Sequence, residues 1–232
     1  MKPQPSSASW CLLQSGCGDA AENMAWDEAL LEAAPRTGLP VLRFYGWQKP
    51  AATFGYFQKH ADVAAMTALR PLIRRCTGGG LVPHDADWTY SLAFPPGHPW
   101  HELRATESYQ RVHEWIRRTF EALGAATELS PCCRKEAPGQ CFIGAEQFDV
   151  LLAGRKIAGA AQRRTRDGLL IQGSIQPPPR MARAAFEEQF CAVAGTDWGV
   201  QWQPLIADTA LQERVQHLAE GKYSTQDYNE RR

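Results

Sequence analysis

The periodicity of apolar residues predicts several amphipathic helices along the chain. From Asp19, the segment DAAENMAWDEALLEAAP places apolar residues on one helical face, has acidic residues near its start and ends with Pro35. The segment from Thr106 to Leu123 has the clearest apolar face, and Gly124 follows it directly. The same periodicity predicts helices over 62–69, 181–193 and 204–219.

Runs of β-branched and aromatic residues predict strands between these helices. VLRFYGW (41–47) and AATFGYF (51–57) flank the short segment Gln48-Lys49-Pro50. This pattern predicts two strands joined by a tight turn. Further single strands are predicted over 72–76 and 87–95.

A third group of strand-like runs lies within 148–175. The runs are separated at Gly154 and at Asp167-Gly168. The Asp-Gly dipeptide is typical of a β-hairpin turn. The segment therefore predicts an antiparallel meander. Because hairpins are mixed with helices along the chain, the order of elements favours a single α+β (mixed α/β) domain over a strictly alternating fold.

The overall composition is that of a folded, uncharged domain. The 232 residues include 25 Lys and Arg against 25 Asp and Glu, and 44% are hydrophobic, so the chain can bury enough apolar surface to fold. A net charge of zero gives no general attraction for nucleic acid or for an anionic membrane, and neither is predicted as a partner. Residues 1–17 lack the apolar core of a signal peptide, and no run approaches about 18 apolar residues. These features predict a cytoplasmic protein.

The seven cysteines are odd in number and irregularly spaced, which favours reduced thiols over a disulfide framework. Cys132 and Cys133, followed by Cys141, have neither the C-x-x-C spacing nor the histidine partners of a zinc site. No metal is predicted, and no role is assigned to Cys132 or Cys133.

The first candidate site is the segment RRCTGGGLVPHD (74–85). Three consecutive glycines let backbone N–H groups approach a ligand closely, and two adjacent arginines can balance the charge of a carboxylate or phosphate. The spacing fits neither a Walker A loop nor a dinucleotide fingerprint. The glycines and arginines together predict a cradle for an acyl group or an anion. The alternative is a flexible hairpin loop with surface arginines. His84 belongs to the same candidate site. The alternative for it is a loop histidine that only forms hydrogen bonds within the protein.

Two further candidates are Lys156 and Cys141. Lys156 is followed by the small residues Gly159 and Ala160, so it can lie close to a bound chain and offer its ammonium to a carbonyl oxygen. The alternative is an edge-strand lysine that prevents aggregation. Cys141 becomes a nucleophile if a nearby cation lowers its pKa. The alternative is a small buried apolar residue, and composition alone does not choose among the cysteines.

Two segments of the chain resemble a known family. RRCTGGGLVPHDADWTYSLAFP and CFIGAEQFDVLLAGRKIAGAAQRRTRDGLLIQGSI resemble the lipoate/octanoate branch of the biotin/lipoate protein ligase family, and the helix NMAWDEALLEA matches the usual opening of that family. The resemblance implies a mixed sheet flanked by helices, similar to the catalytic core of biotin ligases. With it, the chain is predicted to have an N-terminal extension (1–18), a catalytic domain (19–200) and a C-terminal helix with a polar tail (201–232).

The resemblance also implies roles for the candidate residues. Lys156 would orient an acyl carbonyl, and Cys141-Phe142 stands where cysteine-type octanoyltransferases carry Cys-Phe. This implies an enzyme that moves an octanoyl or lipoyl chain from acyl carrier protein, through a thioester on Cys141, to a lysine of a lipoyl domain or of glycine-cleavage H protein. It implies no cofactor. The residues that would bind the acyl chain in its tunnel are Arg74, Arg75, Thr77, Gly78, Gly79, Gly80, His84, Gly159 and Ala160.

Three alternatives stay open. Ile143-Gly144 follows Phe142 where those transferases usually have Pro-Ser, and Gln172 stands where a histidine is common. A related amidotransferase branch, which moves octanoate between lipoyl-bearing proteins, therefore also fits. An ATP-dependent lipoate-protein ligase would require ATP and Mg²⁺, but the roughly 40 residues after Gly195 are too few for its accessory domain. The third alternative is a non-catalytic protein that binds lipoyl or octanoyl groups.

Overall fold

The computed structural model describes residues 8–133 and 144–231. Within these ranges the chain forms an eight-stranded sheet, a three-stranded sheet and helices on both faces of the larger sheet. The strands are β1 (Ala8–Gly18), β2 (Val41–Trp47), β3 (Ala51–Phe54), β4 (Leu72–Arg74), β5 (Val82–His84), β6 (Trp88–Phe94), β7 (Thr127–Leu129), β8 (Val150–Leu152), β9 (Arg155–Thr165), β10 (Gly168–Ile175) and β11 (Val200–Pro204). The helices are α1 (Ala20–Thr37), α2 (His60–Met66), α3 (Pro99–Glu102), α4 (Ala105–Ala122), α5 (Arg183–Trp198), α6 (Thr209–Leu218) and α7 (Gln226–Asn229), with a π-helical turn at Ala219–Tyr223.

The larger sheet is mixed. Its strand order is β11-β1-β2-β6-β10-β9-β8-β7. Strand β1 pairs in parallel with β2 and β11, and every other neighbouring pair in this sheet is antiparallel. The smaller sheet has the order β4-β3-β5. A mixed sheet flanked by helices confirms the predicted α+β fold.

Alternation along the strands divides the apolar residues between the two faces of the larger sheet. On β10, Leu169 and Ile171 join the core beneath α4 and α5. The residue between them, Leu170, packs instead against Leu31 of α1 on the opposite face. The helices therefore cover both faces. The predicted meander β8-β9-β10 is confirmed and extends from the middle of the sheet towards its β7 edge.

The helix signals of the sequence correspond to real caps. The Asp19 side chain accepts a hydrogen bond from the N–H of Glu22 at the start of α1, and Gly38 ends the helix with a left-handed φ of 67°. The helix extends two residues beyond Pro35, its predicted end. At the start of α4, the Glu107 carboxylate accepts from the N–H of Arg104. No helix within 8–133 and 144–231 is long and apolar enough to cross a membrane.

Strand β1 corrects the prediction of an N-terminal extension. Residues 8–18 form an internal strand of the larger sheet, between β2 and β11. Its Trp10 is buried and packs against other aromatic rings of the core. Polar residues such as Gln14 and Ser15 interrupt the apolar pattern here, so the sequence alone gave no strand signal. The rings around Trp10 belong to Phe94, Trp100, Trp115, Trp198 and Trp202.

The predicted hairpin over 41–57 is wrong. Both strands exist, but β2 pairs with β1 and β6 in the larger sheet, whereas β3 pairs with β4 and β5 in the smaller one. Residues 48–50 therefore carry the chain from one sheet to the other. The physical reason is that β1 and β6 pair with the two edges of β2, so β2 has no edge left with which β3 could pair.

A buried histidine, His113, and a half-buried one, His98, make folding stability dependent on pH. Burial lowers the pKa values of His98 and His113 to about 4, whereas an unfolded chain has histidine pKa values of about 6.5. Between these values the unfolded chain binds protons that the folded protein does not. We expect the free energy of unfolding to fall as the pH is lowered from about 6.5 towards 4.5, and urea denaturation at a series of pH values measures it.

A matched pair of variants tests the assignment to buried histidine. His113→Phe removes one titrating ring from the interior and should flatten the pH dependence. His217→Gln removes an exposed histidine in the last turn of α6 and should leave it unchanged. Equal slopes in His113→Phe and the parent protein would contradict the prediction.

Candidate active site

A cavity lies between the α1 face of the larger sheet and the smaller sheet. It encloses about 470 Å³ of empty space, including its opening to solvent. Four lining residues, Gly159, Ser174, Thr89 and Tyr45, are register neighbours on β9, β10, β6 and β2. At about 4.8 Å between strands this row spans about 14 Å, longer than an extended octanoyl chain. The other lining residues are Met24, Thr53, Arg75, Val82, His84, Lys156, Ala160, Ala161, Gln172 and Gly173.

Several polar side chains line this cavity, but their polar atoms are bonded within the protein. The hydroxyl of Ser174 donates to Asp87 Oδ2 at 2.6 Å, and that of Thr89 donates to the same oxygen at 3.3 Å. The hydroxyl of Tyr45 donates to Asp27 at 2.8 Å. A buried polar group that already has a partner does not need one from the ligand. The floor therefore suits an apolar chain.

Asp27 of α1 binds side chains of the next row of residues on the same face of the sheet. Its carboxylate accepts hydrogen bonds from Arg43 at 2.8 Å, Ser91 at 2.6 Å and Gln172 at 2.7 Å. All of these groups are buried. The hydroxyl of Thr77, a predicted binding residue, donates to Gln172 Oε1 at 2.7 Å. Thr77 thus lies behind the cavity lining and orients Gln172, whose side chain lines the cavity.

The structure connects Arg75 to the glycine run. Arg75 lines the cavity, and its guanidinium donates to Thr53 Oγ1 at 2.9 Å and to the carbonyl oxygens of Gly78 and Gly80 at 2.9 and 2.8 Å. Gly79 has φ of 86°, a left-handed conformation that favours glycine. The three glycines are outside the cavity lining, and a direct contact between them and a substrate stays a prediction.

Arg74 has a different role from the one predicted. Its guanidinium donates to the carbonyl oxygens of Tyr56, Gln58, Tyr228 and Asn229 at 2.7–3.2 Å. Arg74 precedes Arg75 in an extended segment, and successive side chains there point in opposite directions. Arg74 is therefore fully buried on the far side from the cavity, where it holds the C-terminal segment. This segment was predicted as a polar tail, but it contains α7 packed on β4.

His84 is held on three sides. Its ring stacks on Trp47 with a centroid separation of 3.8 Å. Nδ1 lies 2.8 Å from Asp87 Oδ2, and Nε2 lies 2.8 Å from Thr53 Oγ1. Both ring nitrogens therefore have a polar partner, Asp87 on one side and Thr53 on the other. The ring is buried and lines the cavity as a fixed wall.

Lys156 lies at the β9 end of the row. Its ammonium is 2.7 Å from Asp149 Oδ2, and its side chain is 7% exposed. A Cβ atom at residue 159 would lie 2.8 Å from Nζ, so the lysine crosses directly over Gly159. The prediction that Lys156 and Gly159 share one site agrees with this geometry, and Lys156 places a positive charge in the cavity wall.

Cys141 lies outside the described residues, as do Gln140 and Phe142. The chain on either side of 134–143 is described. There, the backbone of Ser130 bonds to two successive residues on the other flank. Phe148 N–H donates to Ser130 O, and Ser130 N–H donates to Asp149 O, both at 2.8 Å. The two flanks of this segment therefore meet beside the carboxylate that contacts Lys156. Within the described ranges, no group of three His, Cys, Asp or Glu residues could hold a metal ion.

The acidic residues of the site were not among the candidates that the sequence indicated. Asp149, Asp87 and Asp27 each contact a cavity residue, yet none of them was predicted. Asp149 directly precedes the strand β8, one hairpin before Lys156 in the chain, and this proximity is a signal that could have found it. Asp27 had no comparable signal, because its partners Arg43 and Gln172 are distant in sequence.

The structure thus combines a mixed sheet flanked by helices with a cavity that Lys156 and Gly159 line at one end. The chain belongs to the family described as the lipoyl protein ligase A/B catalytic domain, whose model matches residues 19–182. This confirms the resemblance on which the sequence analysis relied.

One relative is the octanoyltransferase LipM of Kyrpidia tusciae, which is 38% identical over 178 residues. The match covers 72% of this chain and 65% of the relative, so the chain matches less than two thirds of the relative's length. Two solved structures share the fold. A lipoate-protein ligase A bound with ATP has a TM-score of 0.78 at 18% identity, covering 97% of this chain and 99% of that one. A bi-partite lipoate protein ligase from Thermoplasma acidophilum, studied with its E2 lipoyl domain, has a TM-score of 0.74 at 19% identity and covers 97% of each chain.

Proposed function

We propose that this protein is an acyltransferase that moves an octanoyl or lipoyl group from an acyl carrier protein to a lysine of a lipoyl-bearing protein, through Cys141. The observation that carries the proposal is the elongated cavity with the Lys156 ammonium at one end and an internally satisfied floor beneath it. This arrangement suits an apolar chain with a reactive carbonyl at the end nearest the lysine. The 38% identity to an octanoyltransferase supports the same reaction.

The proposed chemistry has two acyl transfers. In the first, Sγ of Cys141 bonds to the acyl carbon and the bond from that carbon to the donor sulfur breaks, with the thiol proton of Cys141 passing to the departing thiolate. In the second, the amine of an acceptor lysine bonds to the acyl carbon, and Cys141 leaves with one amine proton. Each transfer places negative charge on the carbonyl oxygen in its transition state. The Lys156 ammonium stabilises that charge.

The chain permits Cys141 to reach Lys156. Cys141 precedes Glu146 by five residues, and the Glu146 N–H donates to the Asp149 carboxylate that also contacts Lys156. Five residues span at most about 17 Å. Cys141 is therefore tied by a short segment to the carboxylate at the β9 end of the cavity.

The proposal requires no cofactor, because the donor thioester supplies the free energy for amide formation. The acceptor is a lipoyl domain or glycine-cleavage H protein. A cytoplasmic location suits a mechanism that depends on a reduced thiol. If the amidotransferase alternative holds, the donor is instead an octanoylated lipoyl-bearing protein, and the thioester on Cys141 is the same.

Intact-protein mass spectrometry tests the proposal directly. The purified protein is mixed with octanoyl acyl carrier protein or with an octanoylated H protein, in the absence of ATP. We expect an octanoyl adduct that maps to Cys141, is cleaved by hydroxylamine and disappears in Cys141→Ser. Addition of an apo lipoyl domain should then discharge the adduct onto a lysine.

The matched control is Cys132→Ser, which removes a nearby exposed thiol and should leave the adduct intact. If no donor gives an adduct, and turnover appears only with ATP, Mg²⁺ and free lipoate, the proposed reaction is wrong and the ligase alternative holds. If octanoate binds without any adduct or turnover, the protein is a binding protein.

A further inference from the structure

A buried carboxylate, Asp149, lies against the lysine of the proposed reaction. Asp149 is 0% exposed, and its Oδ2 atom is 2.7 Å from Lys156 Nζ. It is separated from Lys156 in the chain by β8 and the β8–β9 turn, and β8 pairs with β9 across that turn. Because a charge in a buried position costs several kcal/mol unless it is paired, each of these two groups depends on the other.

Both oxygens of this carboxylate are fixed by other donors. The hydroxyl of Tyr109 on α4 donates to Oδ1 at 2.5 Å, and the Glu146 N–H donates to Oδ2 at 2.6 Å. Burial and the neighbouring Asp149 charge raise the pKa of Tyr109 well above its ordinary value, so the hydroxyl keeps its proton and donates. The Tyr109 ring is itself packed against His113, 4.1 Å away between centroids.

The backbone around Asp149 is also constrained. Phe148 has φ of 72°, in the left-handed region that costs a bulky residue about 1 kcal/mol or more. Its N–H nevertheless donates to Ser130 O at 2.8 Å, and the next residue pairs with Ser130 as well. This unfavourable conformation directs the Asp149 side chain inward, toward α4 and Lys156.

Lys156 in turn fits in one place only. A Cβ atom at position 159 would lie 2.7 Å from its Cε and 2.8 Å from its Nζ, so any residue larger than glycine would displace it. A lysine side chain is flexible, and holding it in one geometry costs conformational entropy that must be supplied by its contacts. The Asp149 carboxylate and the open face of Gly159 each constrain it.

We propose that Asp149 is a positioning residue for the acyl transfer, and that it acts through Lys156 with Tyr109 holding its carboxylate in place. The inference rests on the proposed function. Asp149 holds the ammonium in place and aimed at the acyl carbonyl, and it neither touches the substrate nor accepts its proton. A preorganised cation stabilises an oxyanion without the reorganisation that a mobile lysine would need during the reaction.

The test is a double-mutant cycle on the rate of acylation, measured by intact-protein mass spectrometry at several donor concentrations. We expect Asp149→Asn to lower the maximal acylation rate on the order of tenfold to a hundredfold, with the KM for octanoyl donor changed less than about threefold. In a Lys156→Ala background, the same substitution should have no further effect, because the group through which it acts is already gone.

Two more variants complete the experiment. Tyr109→Phe removes a single hydrogen bond from Asp149 and keeps the ring, so a decrease in the maximal rate of about fivefold is expected even if Asp149→Asn does not fold. Asp167→Asn changes a half-exposed carboxylate in the β9–β10 turn and should leave the rate unchanged.

The outcomes separate this inference from the proposed function. If the parent protein forms no octanoyl adduct, the proposed function is wrong. If the parent forms the adduct but Asp149→Asn and Tyr109→Phe acylate at the parent rate, only the positioning role is wrong. The positioning role would also be wrong if the rate reductions caused by Asp149→Asn and Lys156→Ala multiplied in the double variant, or if Asp149→Asn changed KM alone. In either case Asp149 would act independently of the lysine.

Discussion

Replacing Lys156 by alanine is expected to lower the rate of octanoyl transfer on the order of a thousandfold. The substitution removes the cation that faces the acyl carbonyl, and a single oxyanion donor is worth about 10²–10³ in rate. In the proposed reaction, loss of the positive charge also disfavours the thiolate form of Cys141. The measurement is the rate of adduct formation from octanoyl acyl carrier protein under single-turnover conditions.

The same substitution leaves Asp149 buried without its ion-pair partner. We therefore expect Lys156→Ala to lower the free energy of unfolding by about 3 kcal/mol. The double variant Lys156→Ala/Asp149→Asn should recover much of this stability while acyl transfer stays slow, which separates chemistry from folding. Lys59→Ala removes an exposed lysine at the start of α2 and serves as a control. A transfer rate within tenfold of the parent in Lys156→Ala would contradict the role of the lysine.

The second large effect is expected on stability. Asp27→Ala removes a fully buried carboxylate that accepts hydrogen bonds from four side chains. It leaves the guanidinium of Arg43, 1% exposed, without a counter-charge. We expect the free energy of unfolding to fall by about 3–5 kcal/mol, measured by urea denaturation.

A control for Asp27 lies on the same helix. Glu32 of α1 pairs with Arg214 at the surface, where both side chains are more than a third exposed. Such a pair contributes about 0–1 kcal/mol, so Glu32→Ala should be close to the parent. Equal losses of unfolding free energy in Asp27→Ala and Glu32→Ala would contradict the prediction. Burial of the Asp27 network would then not determine how much the network contributes to stability.

Local signals in the sequence predicted much of this fold. Helix α4 and the hairpin β9–β10 depend on contacts between residues close in the chain, and a periodic pattern or an Asp-Gly turn is enough to define them. Strand β1 could not be predicted in this way. Its partner β11 lies about 190 residues away, and its Trp10 is buried by rings from four other elements or loops.

The same distinction applies to the site. Lys156 and Gly159 belong to one short motif, so their association was visible in the sequence. The two adjacent arginines were predicted to act alike, but the extended backbone sends Arg75 to the cavity and Arg74 to the C-terminal segment. Asp149 and Tyr109 meet only after β8 and α4 pack together, and no pattern within either element predicts that contact.

The cavity floor crosses the strands rather than following one of them, and this affects how chain length can be selected. Each of four strands supplies one floor residue, so the floor is divided into steps of about 4.8 Å. One step corresponds to several methylene groups of an extended acyl chain. A larger side chain at Thr89 or Ser174 would therefore shorten the usable floor by a whole step, while the strand backbones on either side keep their register. Acyl-chain preference in this fold can change by discrete substitutions at single positions, without any insertion or deletion in the sheet.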